Sequence, residues 1–128
     1  MLKLTSKPSC ICEVENYVKT LAEKYQISPD LYPNILISLT EAVNNAIRHG
    51  NRSDERKVVQ IGILKRKDCL RFTVSDEGNG FDFDKLPDPT APDNLVKCGG
   101  RGVFLMQELS DEVSFRNNGS TVELTFRL

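Results

Sequence analysis

Apolar residues recur at helical spacing near the start of the chain. Between residues 10 and 25 they stand at positions i, i+3, i+4, i+7, i+8 and i+11, with mostly polar residues between them. This periodicity predicts an amphipathic helix with one buried face. That face consists of Val14, Tyr17, Val18, Leu21, Ala22 and Tyr25.

The same periodicity predicts a second helix from Pro33 to about His49. Proline suits the first turn of a helix, because its missing N–H has no partner there in any case. Gly50 is interpreted as the C-terminal stop of this helix. At about 100° per residue, one broad apolar face is formed by Ile35, Leu36, Leu39, Val43, Ala46 and Ile47.

Alternation of apolar with polar or small residues predicts four strands in the rest of the chain. Two strands, within 59–63 and 70–74, are joined by a hairpin at 65–68, and two more are joined across Asn118-Gly119, a strong turn signal. Residues 86–98 contain three prolines and no clear period, which indicates a loop, and residues 102–109 are expected to be helical. Strands in sequence-adjacent pairs with helices between them are typical of an α+β two-layer sandwich.

Composition narrows the class of protein. The chain has 128 residues and a net charge of −1, and we expect a single domain spanning residues 1–128. Acids and bases are interspersed, which argues against a nucleic-acid partner. No apolar run reaches the length of about 18 residues that a membrane span needs. The four cysteines lack zinc-ligand spacing, so we expect reduced thiols and a cytoplasmic protein.

The second predicted helix carries a polar stripe opposite its apolar face. Glu41, Asn45 and Arg48 form this stripe, with Asn44 nearby. Asparagine is a mediocre helix former, so a solvated face would more naturally use lysine, glutamine or glutamate. An acid and an amide four residues apart lie side by side, and such a pair can supply a general base and a ligand for Mg²⁺. The alternative is a solvated polar face.

The segment 76–81, DEGNGF, directly follows a predicted apolar strand. Asp76 stands at the strand exit, where its carboxylate can accept a hydrogen bond from an amino group. Gly78 and Gly80 allow a close approach of the backbone to a ligand. An ordinary turn is the alternative, since Asp, Asn and Gly are common turn residues.

The segment 99–106, GGRGVFLM, places glycines at the start of a predicted helix. Free N–H groups and the helix dipole make such a helix start a candidate anion site. The segment lacks the Gly-Lys-Ser/Thr of a Walker A loop and does not follow a strand as a dinucleotide fingerprint does. A plain lead-in to a helix is the alternative.

In this order, the three segments resemble the motifs of the GHKL ATPase superfamily of gyrases, heat-shock chaperones, histidine kinases and mismatch-repair ATPases. EAVNNAIRHG (41–50) looks like the N box, DEGNGF and GGRGVFL look like the two glycine boxes, and GSTVELTF (119–126) looks like the closing strand with Thr121. The short chain and LSDEV at 109–113 resemble more narrowly the anti-sigma factor serine kinases. The resemblance implies a Bergerat-type sandwich with a mixed, mainly antiparallel sheet and helices on one face.

The resemblance also implies roles for individual residues. Glu41 would be the catalytic base, Asn45 would hold Mg²⁺, and Asp76 would receive the amino group of adenine, with Thr121 beside it. The residues implied in nucleotide binding are Asn45, Arg48, Asp76, Gly78, Gly80, Gly100, Arg101, Gly102 and Thr121. Sporulation-type members carry an arginine just before the second glycine box, where this chain has Cys98. That difference bears on phosphate transfer rather than on nucleotide binding.

The implied activity is the transfer of the ATP γ-phosphate, with Mg²⁺, to a serine of an anti-sigma-factor antagonist of STAS-like fold. The implied partners are that antagonist and a sigma factor, with a homodimer also possible. Two alternatives remain open at this stage. One is a nucleotide-binding module that sequesters its partner without kinase activity, and the other is an ATPase that uses water as the acceptor.

Overall fold

The computed structural model describes residues 2–78, 105–117 and 120–128. Two helices, α1 and α2, and five strands, β1 to β5, make up this part of the chain. Their bounds are β1 Leu2–Thr5, α1 Ile11–Lys24, α2 Tyr32–Asn45, β2 Val58–Lys65, β3 Cys69–Ser75, β4 Glu112–Arg116 and β5 Thr121–Arg127. A 3₁₀ turn, Pro8–Cys10, precedes α1, and residues 105–109 are helical.

The five strands form one sheet in the order β1-β2-β3-β5-β4. All four pairings between them are antiparallel. In the pairing of β3 with β5, Ser75 lies opposite Thr121 and Phe72 lies opposite Leu124. The predicted α+β sandwich and the antiparallel pairing within both predicted hairpins are therefore confirmed, and the turn residues Asn118 and Gly119 lie outside the described residues.

The edge strand β1 is absent from the sequence-based prediction. It has four residues, of which only Leu4 is fully buried. A segment this short cannot show the alternation of several buried and exposed positions on which strand prediction depends. Its place is decided by pairing with β2, where Leu4 lies opposite Val59.

The core lies between the helices and one face of the sheet. Both helices contribute their predicted apolar faces, and the even-numbered residues of β3 and β5 point towards them. Phe72 and Phe126 meet edge to face, with ring centroids 6.0 Å apart. α2 packs across β3 and β5, which places the end of α2 above the ends of these strands.

The second helix ends differently from a regular α-helix. α2 passes at Asn45 into a π-helical turn, Ala46–Gly50, which is closed by a 2.8 Å bond from the N–H of Asn51 to the carbonyl of Ala46. Helical structure stops at Gly50, as predicted. Gly50 does not adopt the left-handed conformation typical of a glycine stop, so a tertiary contact must explain the glycine.

The remaining sequence-based predictions concern the loop at 86–98, the helix at 102–109, the cysteines and membrane-spanning helices. The loop predicted at 86–98 lies outside the described residues, as does the first part of the helix predicted at 102–109. Cys10, Cys12 and Cys69 are free thiols. Among the described residues, none of the helices has both the length and the hydropathy to cross a bilayer.

Candidate functional site

A cavity opens between the end of α2 and the ends of β3 and β5. Most of its lining is apolar, and two of its side chains, Asn45 and Asp76, are strong hydrogen-bonding groups. As bounded by the described residues, its free volume is about 10 Å³, the room of a single water molecule. The lining residues are Ala42, Asn45, Ala46, Val74, Asp76, Met106, Phe115, Ser120 and Val122.

Asn45 brings an unpaired amide to this cavity. Its Nδ2 atom is buried and has no hydrogen-bond partner among the described residues. Such a donor costs about 1–3 kcal/mol when it stays unsatisfied, so most buried polar groups have a partner. A polar ligand in the cavity would supply one. The same amide carries a carbonyl oxygen of the kind that binds Mg²⁺, so the predicted metal role fits the residue present.

Asp76 is held by backbone contacts at the exit of β3. Its N–H donates to the carbonyl of Ser120 at 2.9 Å, and its Oδ1 accepts from the N–H of Gly78 at 2.8 Å. The other carboxylate oxygen, Oδ2, accepts no hydrogen bond from the described residues. One oxygen of Asp76 is thus used to shape the turn, and the other remains available to a ligand.

The pKa of Asp76 is raised above the ordinary value of an aspartate. Burial is the main cause, and the hydrogen bond from Gly78 and the positive charge of Lys57 both act against it. A buried carboxylate loses hydration that its charged form needs. Lys57 and the Gly78 N–H therefore help to keep a half-buried acid ionised.

This shift gives a prediction for stability against pH. The folded state binds the Asp76 proton more tightly than the unfolded state, so its contribution to stability is present at low pH. That contribution is lost as pH rises from the ordinary aspartate pKa through the raised one. We expect the free energy of unfolding, measured by urea titration, to fall across this window relative to that of Asp76→Asn. A difference between the two proteins that is independent of pH would contradict the shift.

Two glycines let the end of the π-helical turn touch the turn after β3. A Cβ added at Gly50 would lie 2.1 Å from Oδ2 of Asp76, and a Cβ added at Gly78 would lie 1.8 Å from the carbonyl oxygen of Gly50. Both distances are far below any real carbon contact. Position 50 therefore requires a glycine, because the Asp76 carboxylate occupies the space that a side chain would need.

Thr121 lies next to the cavity rather than in its lining. Its Oγ1 is 3.2 Å from the Ser75 hydroxyl across the β3–β5 pair, and its two neighbours in sequence, Ser120 and Val122, line the cavity. The register of β3 and β5 pairs Thr121 with Ser75, the neighbour of Asp76. Thr121 therefore lies near Asp76 in the folded protein. Its role in binding stays a prediction.

The other predicted site residues either lie away from the lining of the cavity or fall outside the described residues. Glu41 is half-buried on α2, one turn before Asn45, and Arg48 is exposed in the π-helical turn. Neither belongs to the lining of the cavity. The predicted residues Gly80, Gly100, Arg101 and Gly102 lie outside the described residues.

Sequence reasoning missed the apolar part of the site and its supports. Met106 and Phe115 line the cavity, but in the sequence they look like ordinary apolar residues of a helix and a strand. Asn51 is 1% exposed and bonds to the turn after Asp76, although it follows Gly50 in what looks like a polar loop. Only the burial of this amide, which no local pattern reveals, distinguishes it.

A larger cavity of about 410 Å³ lies near the opposite ends of β3 and β5. Its lining mixes Arg71 and Arg127 with three carboxylates and holds no described side chain that is buried without a partner. Size alone therefore does not select it, and the unpaired amide and the half-buried acid favour the smaller cavity.

Comparison with known proteins finds matches along almost the whole chain. A family model described as a histidine kinase-like ATPase domain matches residues 4–126. The chain is 30% identical to the serine-protein kinase RsbW of Bacillus subtilis (strain 168), over 97% of this chain and 82% of that protein. It is 31% identical, with the same coverage, to the RsbW of Bacillus licheniformis (strain ATCC 14580). Identity to the RsbW of Listeria monocytogenes serovar 1/2a is 25%, over 97% of this chain and 83% of that protein.

These matches confirm the resemblance to GHKL ATPases and, within them, to the anti-sigma serine kinases. The family model covers almost the whole chain, including the helix that bears Asn45 and the turn that bears Asp76. The chain belongs to the histidine kinase-like ATPase domain family.

Proposed function

We propose that this protein binds Mg-ATP in the cavity between α2 and the sheet and transfers the γ-phosphate to a serine of an anti-sigma-factor antagonist. We propose further that it sequesters a sigma factor when the antagonist is phosphorylated. The matched relatives are named serine-protein kinases, which supports a serine as the acceptor.

One observation carries this proposal most directly. The cavity combines a buried amide nitrogen of Asn45 that lacks a partner with the half-buried carboxylate of Asp76, whose Oδ2 accepts no hydrogen bond from the described residues. A ligand that fits must therefore offer a polar group to each. An adenine nucleotide with its metal does so, because its amino group donates to a carboxylate, its phosphate oxygens accept from an amide N–H, and its metal would be held by the amide oxygen.

Each part of the cavity then has its own role in binding Mg-ATP. Asp76 binds the base through its free oxygen, and the apolar walls, including Val74 and Val122, exclude water from the ring. Asn45 orients the phosphate end. When bound, Mg²⁺ neutralises phosphate charge, and positioning with charge neutralisation supplies most of the catalysis in such transfers.

Glu41 acts as the general base. The serine hydroxyl of the partner loses its proton to the Glu41 carboxylate as its oxygen bonds to the γ-phosphorus. The bond from the γ-phosphorus to the oxygen bridging it to the β-phosphate breaks, and ADP leaves with that oxygen. The half-buried position of Glu41 on α2, one turn from Asn45, supports this role, because side chains four residues apart lie together.

A mixing experiment tests the proposal. The protein is incubated with γ-labelled ATP, Mg²⁺ and a purified anti-sigma-factor antagonist, and the label on the antagonist is counted. We expect stoichiometric labelling of a serine. Release of labelled phosphate without a protein acceptor would favour simple hydrolysis, and capture of a sigma factor without any turnover would favour a module that only sequesters its partner.

A matched pair of variants tests whether Mg-ATP binds in this cavity. Asn45→Ala is expected to weaken Mg-ATP binding, measured by calorimetry, about tenfold or more, because a ligand contact to a charged group is lost. Asn34→Ala is the same substitution in the first turn of the same helix, outside the cavity, and should bind as the wild type does. Equal affinities of the two variants would argue against this cavity as the nucleotide site.

A further inference from the structure

We infer that Asn51 is a positioning residue for Asp76, one that fixes the turn presenting this carboxylate and so sets the preference for an adenine base. The inference rests on the proposed nucleotide site. Asn51 does not line the cavity, and its side chain bonds to Ser6, Val58 and Glu77, so it acts through the backbone that carries Asp76.

The side chain of Asn51 joins three segments that are distant in sequence. Its Nδ2 donates to the hydroxyl of Ser6 at 2.8 Å and to the carbonyl of Val58 at 3.0 Å, and its Oδ1 accepts from the N–H of Glu77 at 2.7 Å. The residue is 1% exposed. A buried amide with three well-formed bonds has one orientation, because rotation would leave donors and acceptors without partners.

The bond to Glu77 bears directly on Asp76. The N–H of Glu77 belongs to the peptide group that leaves Asp76, and the N–H of Asp76 itself is held by Ser120 at 2.9 Å. The peptide on each side of Asp76 is therefore anchored, one by the β5 side and one by Asn51. Loss of the Asn51 anchor frees the peptide that directs the carboxylate.

A second contact shows that the turn and the start of β2 form one unit. The Glu77 carboxylate accepts from the N–H of Val58 at 2.5 Å, while the Val58 carbonyl accepts from Asn51. Ser6 completes the cluster by donating to the carbonyl of Lys57 at 2.8 Å. The end of β1, the start of β2 and the end of the π-helical turn thus support the exit of β3 together.

A role in folding alone is the competing explanation, since any buried amide contributes to stability. The two explanations differ in base selectivity. Adenine offers an amino group to the free oxygen of Asp76, whereas guanine offers a carbonyl oxygen that a carboxylate repels. A displaced Asp76 therefore weakens ATP binding without weakening GTP binding, while a general loss of stability changes both equally.

The experiment compares Kd for Mg-ATP and Mg-GTP, by calorimetry, in the wild type and in Asn51→Ala, at a temperature where both are folded. We expect the ATP affinity of Asn51→Ala to fall roughly tenfold, as for a lost bond to a buried group, and the ATP/GTP ratio to fall with it. Ser6→Ala is the matched control. It weakens the same cluster but leaves the bond to Glu77, so its ratio should equal that of the wild type.

A double-mutant cycle with Asp76→Asn completes the test. If Asn51 acts through Asp76, Asn51→Ala lowers ATP affinity no further in the Asp76→Asn background. An unchanged ATP/GTP ratio in Asn51→Ala, or fully additive losses in the cycle, would overturn the inference while leaving the nucleotide site in place. A wild-type protein that binds neither nucleotide would overturn the proposed function itself, and the inference with it.

A variant that keeps the shape of the side chain isolates the bond to Glu77, and it is measured where it is folded, because its buried carboxylate faces the Val58 carbonyl. Asn51→Asp retains an oxygen for the Glu77 N–H and loses the two donated bonds. Its ATP/GTP ratio is expected to stay within about twofold of the wild type, less than the effect of one net hydrogen bond. A ratio that collapses although this acceptor remains would contradict a role through Glu77.

Discussion

Replacing Glu41 with glutamine is expected to abolish phosphate transfer to the antagonist while Mg-ATP still binds. Glutamine has the shape of glutamate but cannot accept a proton from the serine hydroxyl at neutral pH. Loss of a general base typically slows the chemical step about 100- to 10,000-fold. The rate is measured from the label on the antagonist in single-turnover experiments, and Kd is measured by calorimetry on the same samples.

Glu23→Gln is the control for this variant. Glu23 is an exposed glutamate of α1, so the same change of charge and shape is made away from the cavity. Glu23→Gln should transfer phosphate at the wild-type rate. If Glu41→Gln also transfers at that rate, Glu41 is not the base, and if it loses Mg-ATP binding as well, Glu41 has a role in the ground state instead.

Replacing Gly50 with alanine is expected to weaken nucleotide binding while the fold survives. The added methyl group would lie 2.1 Å from Oδ2 of Asp76, the carboxylate oxygen assigned to the base. A carboxylate is the end of a side chain and can rotate away, so the cost falls on the position of Asp76 more than on the core. We expect Mg-ATP affinity to drop at least about tenfold, the effect of one lost hydrogen bond to a charged group.

Alanine substitutions at two other glycines, Gly62 and Gly78, serve as controls for Gly50→Ala. Gly62 lies within β2 and has open space where a Cβ would stand, whereas a Cβ at Gly78 would meet the backbone carbonyl of Gly50 at 1.8 Å. Gly62→Ala should therefore bind ATP normally. Gly78→Ala should lose both binding and thermal stability, because backbone atoms cannot rotate away. Normal ATP binding by Gly50→Ala would show that Asp76 does not need its present position.

Much of the fold could be predicted because its signals are local. The helical spacing of Val14, Val18 and Leu21 and the alternation of Leu70, Phe72 and Val74 each reflect a single element against a single core. The short connection at 65–68 and the turn signal of Asn118-Gly119 then predicted the two hairpins. β1 escaped prediction because four residues with one fully buried side chain carry too little pattern, and only the partner strand defines it.

The candidate site could be predicted in part. Asn45 stood out because an amide is an uncommon choice within a helix, Asp76 stood out through its place in the order of the motifs, and the structure brings both to one cavity. Glu41 and Arg48 share the stripe of Asn45 in sequence but not its place in the lining. The position of a side chain relative to a cavity depends on how the helix is rotated against the sheet, which the polar stripe alone does not define.

The sequence by itself determined the element types, the sandwich class and the chemical character of the motifs, because these depend on periodicity and residue chemistry within short segments. The tertiary structure alone decided that Gly50 makes room for Asp76, that the Nδ2 atom of Asn45 is buried with no partner among the described residues, and that Asn51 anchors the peptide after Asp76. Each of these depends on atoms that are far apart along the chain, such as those of Asn51 and Ser6, which are separated by 45 residues. Contacts of this kind exist only once the helices and strands have packed together.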